Sequence, residues 1–145
     1  MSTISSKMKK PFLLFALKAA VILYFAACTS IDHYTTGRTA TPIVTKGVWK
    51  VNFYKEAENN LTNDLSGYTF TFNSSGILTA SKNGVDISGN WFEDDFANRI
   101  SIDLGATDPS LEKINGHWDI KDLGNARIEF QDKNTTDERL NITML

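Results

Sequence analysis

The chain has 145 residues, room for one ordinary domain, and its 41% hydrophobic and 22% charged residues exclude disorder along the whole length. A single cysteine excludes an intramolecular disulfide and a cysteine-based zinc site. The formal charge of -2 hides a division: Lys7, Lys9, Lys10 and Lys18 precede Cys28, all 17 acids follow it, and such an acidic remainder without a Lys/Arg cluster excludes nucleic acid as a partner.

Met1 to Lys10 carries three lysines and no acid, and Pro11 to Ala27 is apolar apart from Lys18. Ala26 and Ala27 then lead into Cys28. This order of basic region, short hydrophobic region and small-residue cleavage site reads as a secretory signal peptide over residues 1–27. The alternative is a retained spanning helix, which needs about 20 apolar residues. Lys18 leaves only Ala19 to Ala27 uninterrupted.

Phe25-Ala26-Ala27-Cys28 resembles the lipobox of bacterial lipoproteins, in the looser form found in Bacteroidota, with Phe25 where the usual pattern has an aliphatic residue. The resemblance implies cleavage before Cys28, attachment of acyl chains such as palmitate to that cysteine, and a membrane partner reached through it. Two or three such chains hold a protein on a bilayer where one is marginal. The implied location is the bacterial cell envelope, and Thr29 in place of Asp implies the outer rather than the inner membrane. Residues 28–45 then read as the lipidated cysteine and a Thr-rich tether, because Ser30 to Thr45 shows neither helical nor strand periodicity.

From Lys46 to Leu145 the dominant period is two. Apolar positions alternate in Trp49-Val51-Phe53, Tyr68-Phe70-Phe72, Ile77 to Lys82, Val85-Ile87-Gly89-Trp91, Ile100-Ile102-Leu104, Trp118-Ile120, Ala126-Ile128-Phe130 and Leu140-Ile142-Met144. Tight turns separate them at Asn73 to Gly76, Lys82 to Val85 and Leu123 to Ala126, with a polar connection over Asp132 to Asp137. Asn83-Gly84 suits a type I′ hairpin. Asp108 caps and Pro109 opens a single helical turn through Lys113, the one helical signal. Eight sequential antiparallel strands with one apolar face each predict an all-β, up-and-down barrel, which removes exposed edges. A two-sheet sandwich is the alternative.

Gly47-Val48-Trp49 resembles the Gly-x-Trp start of lipocalins. The ordered stretches Gly67 to Gly76, Gly89-Asn90-Trp91 and Leu111 to Trp118 are similar to small lipocalin-like domains on Bacteroidota lipoproteins. The resemblance covers residues 46–145 and implies a calycin-type barrel. Lipocalins also set an arginine near the chain end against the first tryptophan. Arg127 and Arg139 are the candidates, and neither follows the last strand.

Chemistry-bearing constellations are sparse. His33 lies in the tether, far from His117, and no pair stands at metal-ligand spacing. Glu93-Asp94-Asp95 lacks the surrounding Asp-x-Asp-x-Asp-Gly pattern of a calcium loop and reads as a solvated turn. No serine sits in a Gly-x-Ser-x-Gly elbow, and a triad would have only His117 as its base. The four Asn-x-Ser/Thr sequons are incidental behind a bacterial signal. Neither enzymatic activity, metal nor cofactor is expected.

Trp49, Phe53, Phe70, Phe72, Trp91, Trp118 and Phe130 are the residues expected inside, either lining a pocket for a small apolar ligand or filling the core. Eight strands allow both. The leading functional expectation is an envelope lipoprotein whose barrel binds a small apolar or amphipathic ligand. The alternative is a filled barrel serving as a protein-interaction or assembly module for an unidentified partner.

Overall fold

A computed structural model describes residues 39–105 and 107–145. The expected signal region, Cys28, His33 and the tether up to residue 38 lie outside the described residues. Among the described residues the strands are β1 (Val48–Glu56), β2 (Asn59–Asn60), β3 (Thr69–Phe72), β4 (Ile77–Lys82), β5 (Val85–Asp94), β6 (Arg99–Asp103), β7 (Gly116–Leu123), β8 (Arg127–Asp132) and β9 (Arg139–Met144). β2 is a two-residue hairpin arm on β1. The other eight pair antiparallel in chain order, and β9 returns to β1 from Trp49↔Met144 to Lys55↔Arg139. That last pairing closes an eight-stranded up-and-down barrel and rules out the sandwich.

The turns follow their residue chemistry. Asn83 and Gly84 both have positive φ, 54° and 78°, as a type I′ hairpin requires. Asp108 accepts from the backbone N–H groups of Ser110 and Leu111, capping the single helical turn Pro109–Glu112. A 3-10 turn, Thr62–Leu65, and a second helical turn, Thr41–Val44, had no counterpart in the period-two pattern.

β1 departs from strict alternation. Val51 lies opposite Ile142 and Phe53 opposite Asn141, so Asn52 is an extra, bulged residue. A bulge switches the face on which every later side chain lies. Tyr54, opposite Leu140, is therefore fully buried, and Phe53 is only half-buried and outside the core cluster. The placement of Phe53 inside the barrel is corrected on this ground. β7 carries a similar irregularity between Ile120 and Asp122, after which Leu123 again packs against the core.

Antiparallel order sorts the loops onto two ends. The entry to β1, the turns at 73–76, 95–98 and 124–126, and Leu145 share one end, called here the entry end. The 57–68 segment, the 83–84 turn, the 104–115 segment and the 133–138 loop share the far end.

Candidate functional site

Six of the seven residues expected inside the barrel lie there, Phe53 being the exception. Trp49, Phe70, Phe72, Trp91, Trp118 and Phe130 are all buried in one apolar cluster with Leu78, Ile100, Ile128 and Leu140. Phe72 and Trp91 meet edge-on with centroids 5.3 Å apart, and Tyr54 meets Trp118 at 6.5 Å. The space left among Val51, Phe70, Phe72, Ile114 and Phe130 is about 10 Å³. That is no more than the room one water occupies. The rings fill the barrel, so these six residues form its core.

Segments outside the barrel strands pack their apolar side chains over both ends. At the entry end the helical turn Thr41–Val44 sends Ala40, Ile43 and Val44 into the core, so this last part of the expected tether belongs to the folded domain. The indole N–H of Trp49 donates to Val44 O at 2.7 Å inside that plug. Glu93 holds its start: one carboxylate oxygen accepts from the N–H of Ala40, the other from Thr41 N–H at 2.7 Å and Thr41 Oγ1 at 2.5 Å. A sequence signal existed in Pro42, which like Pro109 suits a first helical turn. It was masked by Thr-rich surroundings and by Ala40, which offers no capping side chain.

At the far end Leu65, Leu111 and Ile114 are buried as a lid. Trp118 Nε1 donates to Ile114 O at 2.9 Å, and Lys113 Nζ pairs with Asp64 at 2.6 Å. Tyr54 donates its hydroxyl to Glu138 Oε1 at 2.8 Å, with Lys113 O at 3.1 Å. Burial, then the bond to Glu138, pushes the Tyr54 hydroxyl far above the ordinary tyrosine range. Burial likewise raises the Glu138 carboxyl. Tyr68 donates its hydroxyl to Asp108 and is pushed up to about 12 chiefly by that bond, which in turn holds Asp108 below the usual carboxylate range. Lys82 lies 4.5 Å above the Tyr68 ring.

The arginine expected against Trp49 is not found there. Arg127 pairs with Glu129 at 2.6 Å on the surface, Arg139 is exposed opposite Lys55, and Trp49 gives its N–H to Val44. The acidic triplet is divided by structure: Glu93 clasps the plug, Asp94 accepts from Ala97 N–H at 3.0 Å, and Asp95 is exposed. Ser101 Oγ and His117 Nδ1 come within 2.7 Å, but as a cross-strand pair on the outer face of β6 and β7, exposed to solvent. Among the described residues no three His, Cys, Asp or Glu side chains gather at metal-binding distance.

Depth is found outside the barrel. A groove of about 570 Å³ at the entry end runs between Thr39, Thr41 and Pro42 on one side and Gly76, Phe92, Glu93 and Asp95 on the other. A cleft of about 260 Å³ opens where β1 leaves β3, since those strands pair only at Val48↔Thr71 and Trp49↔Phe70. Lys50, Val51, Leu65 and Tyr68 are among its walls.

No family model matches the chain, and no curated protein does. Among solved structures, the chain is similar to the crystal structure of a DUF4847 family protein from Bacteroides vulgatus, with a TM-score of 0.54 and 17% identity over 72% of this chain and 96% of that one. At that identity the likeness is one of fold, and it supports the barrel as an architecture this chain shares with a protein from Bacteroides.

Proposed function

We propose that this chain is a bacterial envelope lipoprotein, acylated on Cys28, whose lipocalin-like barrel is a filled, non-enzymatic interaction module working through its outer surface. The observation that carries the second half is the interior void of about 10 Å³, which leaves no room for a ligand among the buried rings. The first half rests on the lipobox-like Phe25 to Cys28 behind a basic and then apolar segment. Outer-membrane placement follows the same resemblance, through Thr29. Radiolabelled palmitate fed to cells making wild type and Cys28→Ala tests the anchor: label in the first alone is expected, and equal label in both overturns it. For the module, cross-linking in intact cells should capture a defined protein. Substitutions across the exposed far-end loops at 57–58, 83–84 and 133–137 should abolish that capture, and an unchanged profile would falsify the reading.

A second reading, binding of a small amphipathic ligand, has one observation in its favour. The β1–β3 cleft combines apolar walls from Val51 and Leu65 with Lys50 and the polar side chains of Thr62 and Asn63. Its volume of about 260 Å³ falls just below the usual range for ligand pockets. Native mass spectrometry of the protein extracted from cells should then show one small molecule bound, lost when Val51 is replaced by Trp.

A further inference from the structure

We propose that the entry end of the barrel is a membrane-contact face, with Phe92 and Phe96 seated at the boundary between the headgroups and acyl chains of a zwitterionic lipid surface. This deepens the lipoprotein reading and rests on it.

Three observations lead there. Phe96, at the 95–98 turn, is fully exposed, and Phe92 on β5 is 56% exposed. Ile77, next to Gly76 of the same groove, adds a third open apolar side chain. Single exposed apolar residues are ordinary, but these share one rim, and phenylalanine side chains on a protein surface bury favourably at the boundary between headgroups and acyl chains.

The second observation is where the chain leaves the barrel. Thr39 and Pro42 line the same groove as Phe92, and only Thr29 to Arg38 separate Cys28 from Thr39. Eleven peptide steps span at most about 40 Å. An acylated Cys28 therefore tethers the barrel by this rim, which stays within that span of the lipid while the far end lies a further strand length along the chain. Glu93 adds to the constraint by tying Ala40 and Thr41 to β5, one residue from Phe92. The attachment point and the exposed rings thus move as one piece.

The third observation is charge, which selects the lipid. Glu93 is engaged by the plug and Asp94 by the turn, leaving Asp95 exposed beside Phe96. The exposed cations of this end stand away from β5 and its neighbours β4 and β6: Lys46 and Lys50 by β1, Lys121 on β7, and Arg127 on β8, where it pairs with Glu129. With no basic cluster at the rings, an anionic surface gains nothing from electrostatics, whereas a neutral headgroup layer accepts the rings without repelling Asp95.

The test is hydroxyl-radical footprinting of the full-length acylated protein on vesicles of phosphatidylethanolamine and phosphatidylcholine, with the same protein in detergent as reference. Oxidation of Phe92 and Phe96 should fall several-fold on vesicles. Val85, 63% exposed at the far end, should be oxidised equally in both. Intact mass of the same sample reads the acyl chains on Cys28. An acylated chain whose two phenylalanines are oxidised equally on vesicles and in detergent overturns the contact face alone. A chain with no acyl mass overturns the lipoprotein reading and the inference with it. Protection that fades as the protein is diluted in lipid marks a second copy of the chain on this rim and overturns the lipid assignment.

Discussion

Glu93 on β5 and Thr41 in the amino-terminal plug are joined by two hydrogen bonds, one to the backbone and one to the hydroxyl, across 52 residues of sequence. The carboxylate does what a capping side chain does for a helix start, but from a neighbouring strand, because Ala40 cannot do it. The plug thereby becomes a part of the barrel.

Replacing Glu93 by Ala should release that plug. Hydrogen bonds to a charged group contribute about 1.5–3 kcal/mol, and two backbone donors lose their acceptor. Urea unfolding should show a loss near that size, and limited proteolysis should cut between residues 39 and 46 faster than in wild type. Unchanged cleavage there would mean that Trp49 and Val44 hold the plug unaided.

The bulge at Asn52 predicts unequal consequences for two adjacent aromatics. Tyr54→Ala empties a fully buried site and orphans a hydrogen bond to Glu138, a change of about 3–5 kcal/mol. Phe53→Ser should stay within about 1 kcal/mol, since Phe53 lies outside the core cluster. Chemical denaturation of the two variants decides; equal losses would place Phe53 inside.

Gly89 sits opposite Leu78 on β4, where β5 passes so close to β6 that a Cβ would stand 2.0 Å from Asp103 O and 2.7 Å from Leu104 Cα. Backbone cannot yield as a side chain can. Gly89→Ala should lose at least the ~3 kcal/mol upper end of overpacking, or fail to fold, whereas Gly84→Ala, with open space but φ of 78°, should lose about 1 kcal/mol from strain alone. Thermal melts of both variants provide the comparison.

Glu138 has a raised folded pKa, so the folded state binds its proton more tightly than the unfolded chain does. Its contribution is therefore present below the ordinary carboxylate value and is lost as pH rises through the raised one. Glu138→Gln keeps a carbonyl acceptor for Tyr54 and removes the charge. The melting temperature of this variant minus that of wild type should grow between pH 4 and pH 7. A difference that shrinks over that range would show Glu138 to be stabilised as an anion. Asp108 acts oppositely: its pKa is lowered, and its stabilisation disappears as pH falls through that value.

Local chemistry determined a good deal of this protein. Period-two alternation located the eight barrel strands, because a strand half-buried in a barrel must put every second side chain inside. Asn83-Gly84 and Asp108-Pro109 formed the turn and capped helix their residue types favour, since both depend on backbone angles set within a few residues. Barrel closure, the phase of β1 after Asn52, the clasp of Glu93 on the plug and the filling of the interior were decided by tertiary structure. Closure needs Trp49 to meet Met144, nearly the whole domain apart in sequence. The bulge appears only in the register of β1 against β9, and so Phe53 and Tyr54 exchange places without any local sign. Whether the six interior rings line a pocket or fill it depends on how their volumes interdigitate in a closed barrel, which alternation does not encode.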